Sequence, residues 1–165
     1  MRPIIDFISD ASASAGKGAF AGALATGVMT VSSSLEMKIR RRPPSNVPSS
    51  VAGRVLGVQP RNPEGRRRFG AFAHWGYGTA WGALGGLLHQ WAPNTAVASS
   101  LHLGSIWGTE VTMLPAMGET PPVKEWGLDE VAIDLFHHLV YITAFAGAWY
   151  VLSRDDRPWW RRLIA

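Results

Sequence analysis

Apolar and small residues fill most of this chain, interrupted by one zone dense in charge. Between Arg68 and Glu110 there are 41 consecutive positions without Asp, Glu, Lys or Arg. A helix needs about 20 predominantly apolar residues to cross a bilayer, so this interval has room for two. The polar turn Pro93-Asn94-Thr95 lies near its middle. The pattern predicts helices over 69–91 and 96–117, and a third stretch of similar length over 131–152. A fourth, 18–35, is uncharged but rich in Gly, Ala, Ser and Thr, which makes it the weakest of the set. The predicted fold is all-α: one domain over 1–165, an integral membrane bundle of four transmembrane helices. The alternative is a soluble bundle whose helices are apolar nearly all round.

The 36–68 segment predicts a basic, partly amphipathic loop between the first two helices. Nine of the 16 Lys and Arg residues lie between Lys38 and Arg68. Glu36 and Arg40 are spaced to pair on an extension of the first helix, which Pro43 and Pro44 should end. A short helix over 49–58 would offer Val51, Val55, Leu56 and Val58 to an interface. Two Arg triplets, Arg40, Arg41, Arg42 and Arg66, Arg67, Arg68, then fall at membrane exits. Attraction to anionic lipid there is worth about 1 kcal/mol per basic residue. With four spans, the basic loop and the 118–130 connection share a side holding ten Lys or Arg, against six on the other. That bias places the basic loop in the cytoplasm and both termini outside, with Arg154, Arg157, Arg161 and Arg162 pulling the other way. Trp91, Trp126, Trp149, Tyr150, Trp159 and Trp160 fall near proposed helix ends, where amphipathic rings prefer the headgroup layer.

Composition alone would not reveal this. The mean hydropathy is only +0.04, an average over segregated charge. The sequence pI of about 10.0 also fits a phosphate binder. Long charge-free helices rich in Gly and Trp have no use in a nucleic-acid module, so no nucleic-acid partner is expected. The absence of cysteine removes disulfides, thiolate metal sites and cysteine nucleophiles. The first 17 residues contain Asp6 and Asp10 and lack the basic start of a signal peptide. No nucleophile elbow, P-loop, dinucleotide fingerprint or kinase motif occurs, and HWGYGTAWG over 74–82 sits inside an apolar helix. The expectation is a non-enzymatic protein without a cofactor.

Two patterns inside the spans carry the functional reading. Gly18 and Gly22, then Gly78, Gly82 and Gly86, then Gly104 and Gly108 recur at spacing four. Each set forms a ridge on which backbones can approach closely, within one bundle, in a homo-oligomer or against a partner subunit. The second pattern is ionisable. Glu130, Asp134, His137 and Tyr141 follow spacings of four, three and four, within about 60° of one another on a helix. His138 flanks them; His102, Ile106, Glu110 and Met113 share a face of the third helix, and His74, Gly78 and Trp81 a face of the second.

Such groups face a protein or aqueous interior, so a buried polar seam is expected, and three uses compete for it. The first is a network that fixes helix register. The second is a relay or site for a proton, cation or small solute, to which Pro115 and Pro121-Pro122 would add broken-helix carbonyls. The third is a metal or haem site, with no HExxH or Glu-x-x-His pattern in support, and with His74 or His102 plus His137 or His138 as the sensible haem ligands.

Three segments, SSSLEMKIRRRPPSNVP, HWGYGTAWG and PPVKEWGLDEVAIDLFHHLVY, resemble those of small bacterial multi-span membrane proteins of the YagU-like family. The resemblance reaches from Thr26 to Tyr150. It implies a multi-pass protein of the bacterial cytoplasmic (inner) membrane and carries over no catalytic residue. The expected role is a structural or accessory subunit of a membrane complex or homo-oligomer in contact with anionic lipid. The alternative is a small proton-coupled transporter or channel.

Overall fold

Proline and left-handed turns punctuate the chain. The computed structural model describes residues 2–154; Arg157, Trp159, Trp160, Arg161 and Arg162 lie outside them. The fold is all-α. The first helix, α1, runs Arg2–Arg40, far beyond the expected 18–35. Asp6, Asp10 and Lys17 do not break it, because charge alone does not terminate a helix and no proline follows Pro3 before Pro43. Its end is set by Arg41 in the left-handed region (φ 55°) and by the Arg42 amide donating to the Met37 carbonyl at 3.1 Å, with Pro43-Pro44 next.

A short helix, α2 (Val47–Leu56), follows and closes in the same way, with Gly57 at φ 66° and the Val58 amide bonded to the Gly53 carbonyl. The next helix, α3 (Pro63–Trp91), begins with Asn62, whose side chain accepts from the Gly65 amide at 2.7 Å, and with Pro63 where its missing N–H is harmless. The predicted Pro93-Asn94-Thr95 turn does the same for α4 (Thr95–Ala116): the Asn94 side chain accepts from the Val97 amide at 2.9 Å. Pro115 lies in the last turn of α4, which Gly118 (φ 69°) closes. It therefore ends the helix and does not open an interior break of the kind expected for a transport cavity. A 3-10 turn, Val123–Glu125, leads into α5 (Leu128–Ser153).

The long helices pack in a ring, α1 against α3 and α5, with α4 closing the far side and making the sparsest contact. Beside α3, α2 lies along the outside. The core combines Ala21 and Ala25 of α1, Ile106 of α4, and Tyr141, Ile142, Phe145 and Trp149 of α5. The small residues of α1 let the larger rings of α5 approach.

Two helices, over Pro3–Arg40 and Leu128–Ser153, are long and apolar enough to cross a membrane. Of the four expected spans, α1 and α5 meet that measure; α3 and α4 lack charge over much of their length but fall below it in hydropathy. Gly, His, Trp and Tyr dilute α3, and Ser, Thr, His102 and Glu110 dilute α4. In both apolar helices only 28% of the most apolar window is buried, whereas the core helix of a soluble bundle is mostly covered. Phe20, Leu24, Val28, Val31 and Leu35 form one continuous exposed stripe on α1. Phe72, Leu101, Phe136, Leu139 and Val151 extend exposed apolar surface around the other helices.

Candidate functional site

The glycine ridges meet on one side of the bundle and not on the other. A Cβ on Gly18 would meet Gly82 and Gly86 backbone atoms, and one on Gly22 would lie 2.6 Å from the Gly82 Cα. Gly86 likewise faces Gly18 and the Ser14 carbonyl, and Gly78 faces the Thr26 hydroxyl. The α1 and α3 backbones thus touch along Gly18, Gly22, Gly78, Gly82 and Gly86, a separation that no Cβ permits. Gly104 and Gly108 differ: a Cβ at either would have nothing within 4 Å. They belong to an outward-facing ridge of small residues at spacing four, Ala96, Ser100, Gly104, Gly108 and Thr112, of which all but the half-buried Gly108 are exposed.

Where the helices face inward, the polar side chains bond across them. His74 of α3 shares a 3.2 Å contact with the Thr30 hydroxyl of α1. His137 of α5 bonds through Nδ1 to the Ser32 hydroxyl at 3.0 Å, and its Nε2 lies 3.9 Å from the Glu36 carboxylate. The Tyr141 hydroxyl donates to the Gly78 carbonyl at 2.6 Å, a carbonyl accessible to it because the α3 ridge carries no side chain there.

Glu110, Asp134 and His138 converge between α4 and α5, with ligand-type atoms all within 4.8 Å of one another. His138 Nε2 is 2.8 Å from Glu110 Oε2. Its Nδ1 is 2.9 Å from the Asp134 backbone carbonyl. Because a carbonyl only accepts, Nδ1 carries the proton. The Asp134 carboxylate accepts from the indole N–H of Trp107 at 2.8 Å. His138 is 5% exposed, while the Glu110 and Asp134 side chains retain 24% and 26% exposure.

Two residues expected in the seam lie elsewhere. Glu130 is exposed; it stands in the first turn of α5 beside Asp129, where negative charge suits a helix N-terminus. His102 is fully buried, but among rings: Phe145 at 4.7 Å, Tyr141 at 5.8 Å and His89 at 6.4 Å. The Trp81 carbonyl faces it, yet neither ring nitrogen makes a hydrogen bond of proper geometry among the described residues. It sits where Gly85 leaves room, since a Cβ there would run into the imidazole and the Phe145 ring. His89, which the sequence reading passed over, completes this second cluster through the Gly85 carbonyl (2.9 Å) and the Trp149 ring (5.8 Å). Trp107 was also overlooked, although it lies one helical turn before Glu110.

The basic end is knit by ion pairs. Glu36 binds Arg42 at 2.7 Å and Arg40 at 3.7 Å, and Arg40 also reaches Asp129 at 3.3 Å. Glu64 holds Arg67 and Arg68. Glu119, on the α4–α5 connection, accepts from Ser50 at 2.8 Å and pairs with Arg54 at 3.0 Å, which fastens α2 across the bundle end. Val55, Leu56 and Val58 remain exposed. Of the six arginines expected at the lipid surface, Arg41 and Arg66 have no ion pair among the described residues. The pairs of the other four are exposed enough on the Arg side to exchange for lipid phosphate at small cost.

No family profile, curated protein or solved structure matches the chain.

Proposed function

We propose that the chain is a four-helix integral membrane protein that serves as a structural or accessory subunit, packing through α4 against a neighbouring helix. The observation that carries this reading is the α4 ridge. In lipid no hydrophobic drive brings helices together, so small residues that admit close backbone contact define the interfaces. Within the chain, one such ridge pair, on α1 and α3, is consumed by mutual contact. The α4 ridge of equal spacing faces outward. The exposed stripe on α1 supports the lipid environment, as does an apolar groove of about 350 Å³ between Phe20, Leu24, Val28, Val31 and Trp75. The α3 and α4 helices cross with α1 and α5 because their polar groups turn inward and bond. The placement in a bacterial inner membrane rests on the resemblance of the three segments.

The chain contains no cysteine, so a single introduced thiol reports contacts cleanly. Gly104→Cys should give a disulfide-linked dimer in membranes, or mild-detergent purification should retain a stoichiometric partner that Gly104→Ile and Gly108→Ile release. A monomer without either overturns the subunit reading. A second reading, proton or cation movement, is favoured by one observation, the convergence of Glu110, Asp134 and His138. Under it, Glu110→Gln or Asp134→Asn abolishes a pH-dependent flux in liposomes; flux equal to that of the unaltered chain sinks it.

A further inference from the structure

We propose that Glu110, Asp134 and His138 bind a divalent first-row transition ion, of the zinc class, that clamps α4 to α5. The site is complete within one chain and independent of the subunit reading. Its support is the convergence of three ligand-type atoms from two helices, all within 4.8 Å of one another. A proton on His138 Nδ1 is held by the Asp134 carbonyl at 2.9 Å, so Nε2 faces the cluster, as a ligand when the ring is neutral and as a donor when it is protonated. That nitrogen points at a carboxylate oxygen of Glu110 only 2.8 Å away. The contact is satisfied by a proton on Nε2, as an ion pair, or by a cation that both atoms ligate, and titration with Zn2+ decides between them.

The surrounding bonds are those that orient metal ligands. A ligating imidazole donates its other N–H to a carbonyl or carboxylate, and a ligating carboxylate is itself hydrogen-bonded. Both arrangements are present, in His138 Nδ1 to the Asp134 carbonyl and in Trp107 Nε1 to Asp134 Oδ2. Charge points the same way. The ion pairs of the described residues bring no Lys or Arg to Glu110 or Asp134, and two carboxylates around a divalent ion sum to zero in a medium where net charge is expensive. The nitrogen ligand selects against Mg2+ and Ca2+, which prefer oxygen throughout.

Size fits as well. Tetrahedral metal–ligand bonds of about 2.0–2.2 Å put neighbouring ligand atoms about 3.3–3.6 Å apart, inside the 4.8 Å limit that already encloses these three. Three protein ligands leave a coordination position for water or a small anion. Glu110 stands six residues before the end of α4 and Asp134 six residues after the start of α5, about 9 Å from the basic end of the bundle. Their partial exposure gives an ion a route in.

The test uses the full chain in nanodiscs, stripped with a chelator and titrated with Zn2+ against a competing dye. One Zn2+ per chain is expected, with Mg2+ unable to compete. Glu110→Gln and His138→Gln should each weaken binding at least tenfold, and His137→Gln, one position away but bonded to Ser32, should leave it unchanged. Absence of stoichiometric zinc, or equal binding by Glu110→Gln, His138→Gln and the unaltered chain, overturns the assignment. Because a variant can fail to fold, Co2+ bound to the unaltered chain provides a second measurement. X-ray absorption should show one imidazole nitrogen with oxygen neighbours, and a shell of two or more imidazoles also overturns it. Loss of zinc binding with flux intact would separate failure of this site from failure of the proton-movement reading.

Discussion

A single methyl group should distinguish the two glycine ridges by sign. On Gly82, an added Cβ would lie 2.5 Å from the Gly22 Cα and 2.9 Å from its amide nitrogen. Ordinary contact begins near 3.4 Å, so Gly82→Ala must part α1 and α3 by roughly 1 Å at their crossing. A gap of that size forfeits a quarter to a half of each atom-pair attraction of about 0.1–0.2 kcal/mol. If the ridge makes about 40 such pairs, as a buried Leu does, the loss is about 2 kcal/mol. Alanine returns up to about 0.5–1 kcal/mol through better helix propensity, which leaves a net destabilisation of about 1–2 kcal/mol. Gly104→Ala meets nothing within 4 Å. It keeps only the propensity gain, so it should be neutral or stabilising by up to about 1 kcal/mol. The assay is reversible unfolding of the full chain in mixed micelles on titration with SDS, followed by tryptophan fluorescence and circular dichroism. A dilution series separates any effect of self-association at α4. The reasoning fails if Gly82→Ala is as stable as the unaltered chain, or if Gly104→Ala is destabilised as much as Gly82→Ala.

Three further predictions follow from the same contacts. Tyr141→Phe removes the bond to the Gly78 carbonyl and should lower stability by about 0.5–2 kcal/mol in the same SDS titration; no change would mean that the carbonyl finds another donor. Trp107→Phe deletes the indole N–H that holds Asp134 and should cost about 0.5–2 kcal/mol, a loss that should largely vanish when it is measured in an Asp134→Ala background, which lacks the acceptor. Glu119→Gln severs the charge on Arg54 with an effect of at most about 1 kcal/mol on global stability, yet amide exchange over Val47–Leu56 should accelerate several-fold, since that tie fastens α2 to the α4–α5 connection. Unchanged exchange there would show that packing on α3, with the Arg54 bond to the Met117 carbonyl, holds α2 without that charge.

Periodicity in a sequence reports the face a residue occupies, and it leaves depth and partner unstated. Glu130 shares a helical face with Asp134 and Tyr141 but stands in the first turn of α5, in the open. His102 shares a face with Glu110, yet eight residues separate them, about 12 Å along α4, so one lies among aromatic rings and the other in the ionisable cluster. Absence of charge over 69–109 located α3 and α4 correctly while overstating how apolar they are. The α1 hydroxyls of Thr30 and Ser32, which hold His74 and His137, were illegible because Ser and Thr in a Gly- and Ala-rich helix look like packing residues. So was the N–H of Trp107, hidden in a ring that reads as apolar.

The glycine spacing was legible as a device for close approach, and the structure shows why identical spacing has two consequences. Between α1 and α3 the ridges interlock, and dispersion along touching backbones holds the pair. On α4 the ridge faces away, and the inward side meets α5 through the packing of Ile106 and His102 and through two polar links, Trp107 to Asp134 and Glu110 to His138. Interhelical hydrogen bonds in lipid average only about 0.6 kcal/mol, and α4 makes the sparsest contact of the long helices, so it is held less firmly than glycine contact holds α1 and α3. The lightly held helix is thus the one that carries both an open packing ridge and a cluster able to take a cation. A neighbouring helix on its outer face or an ion at its inner face would each supply adhesion that the rest of the chain does not.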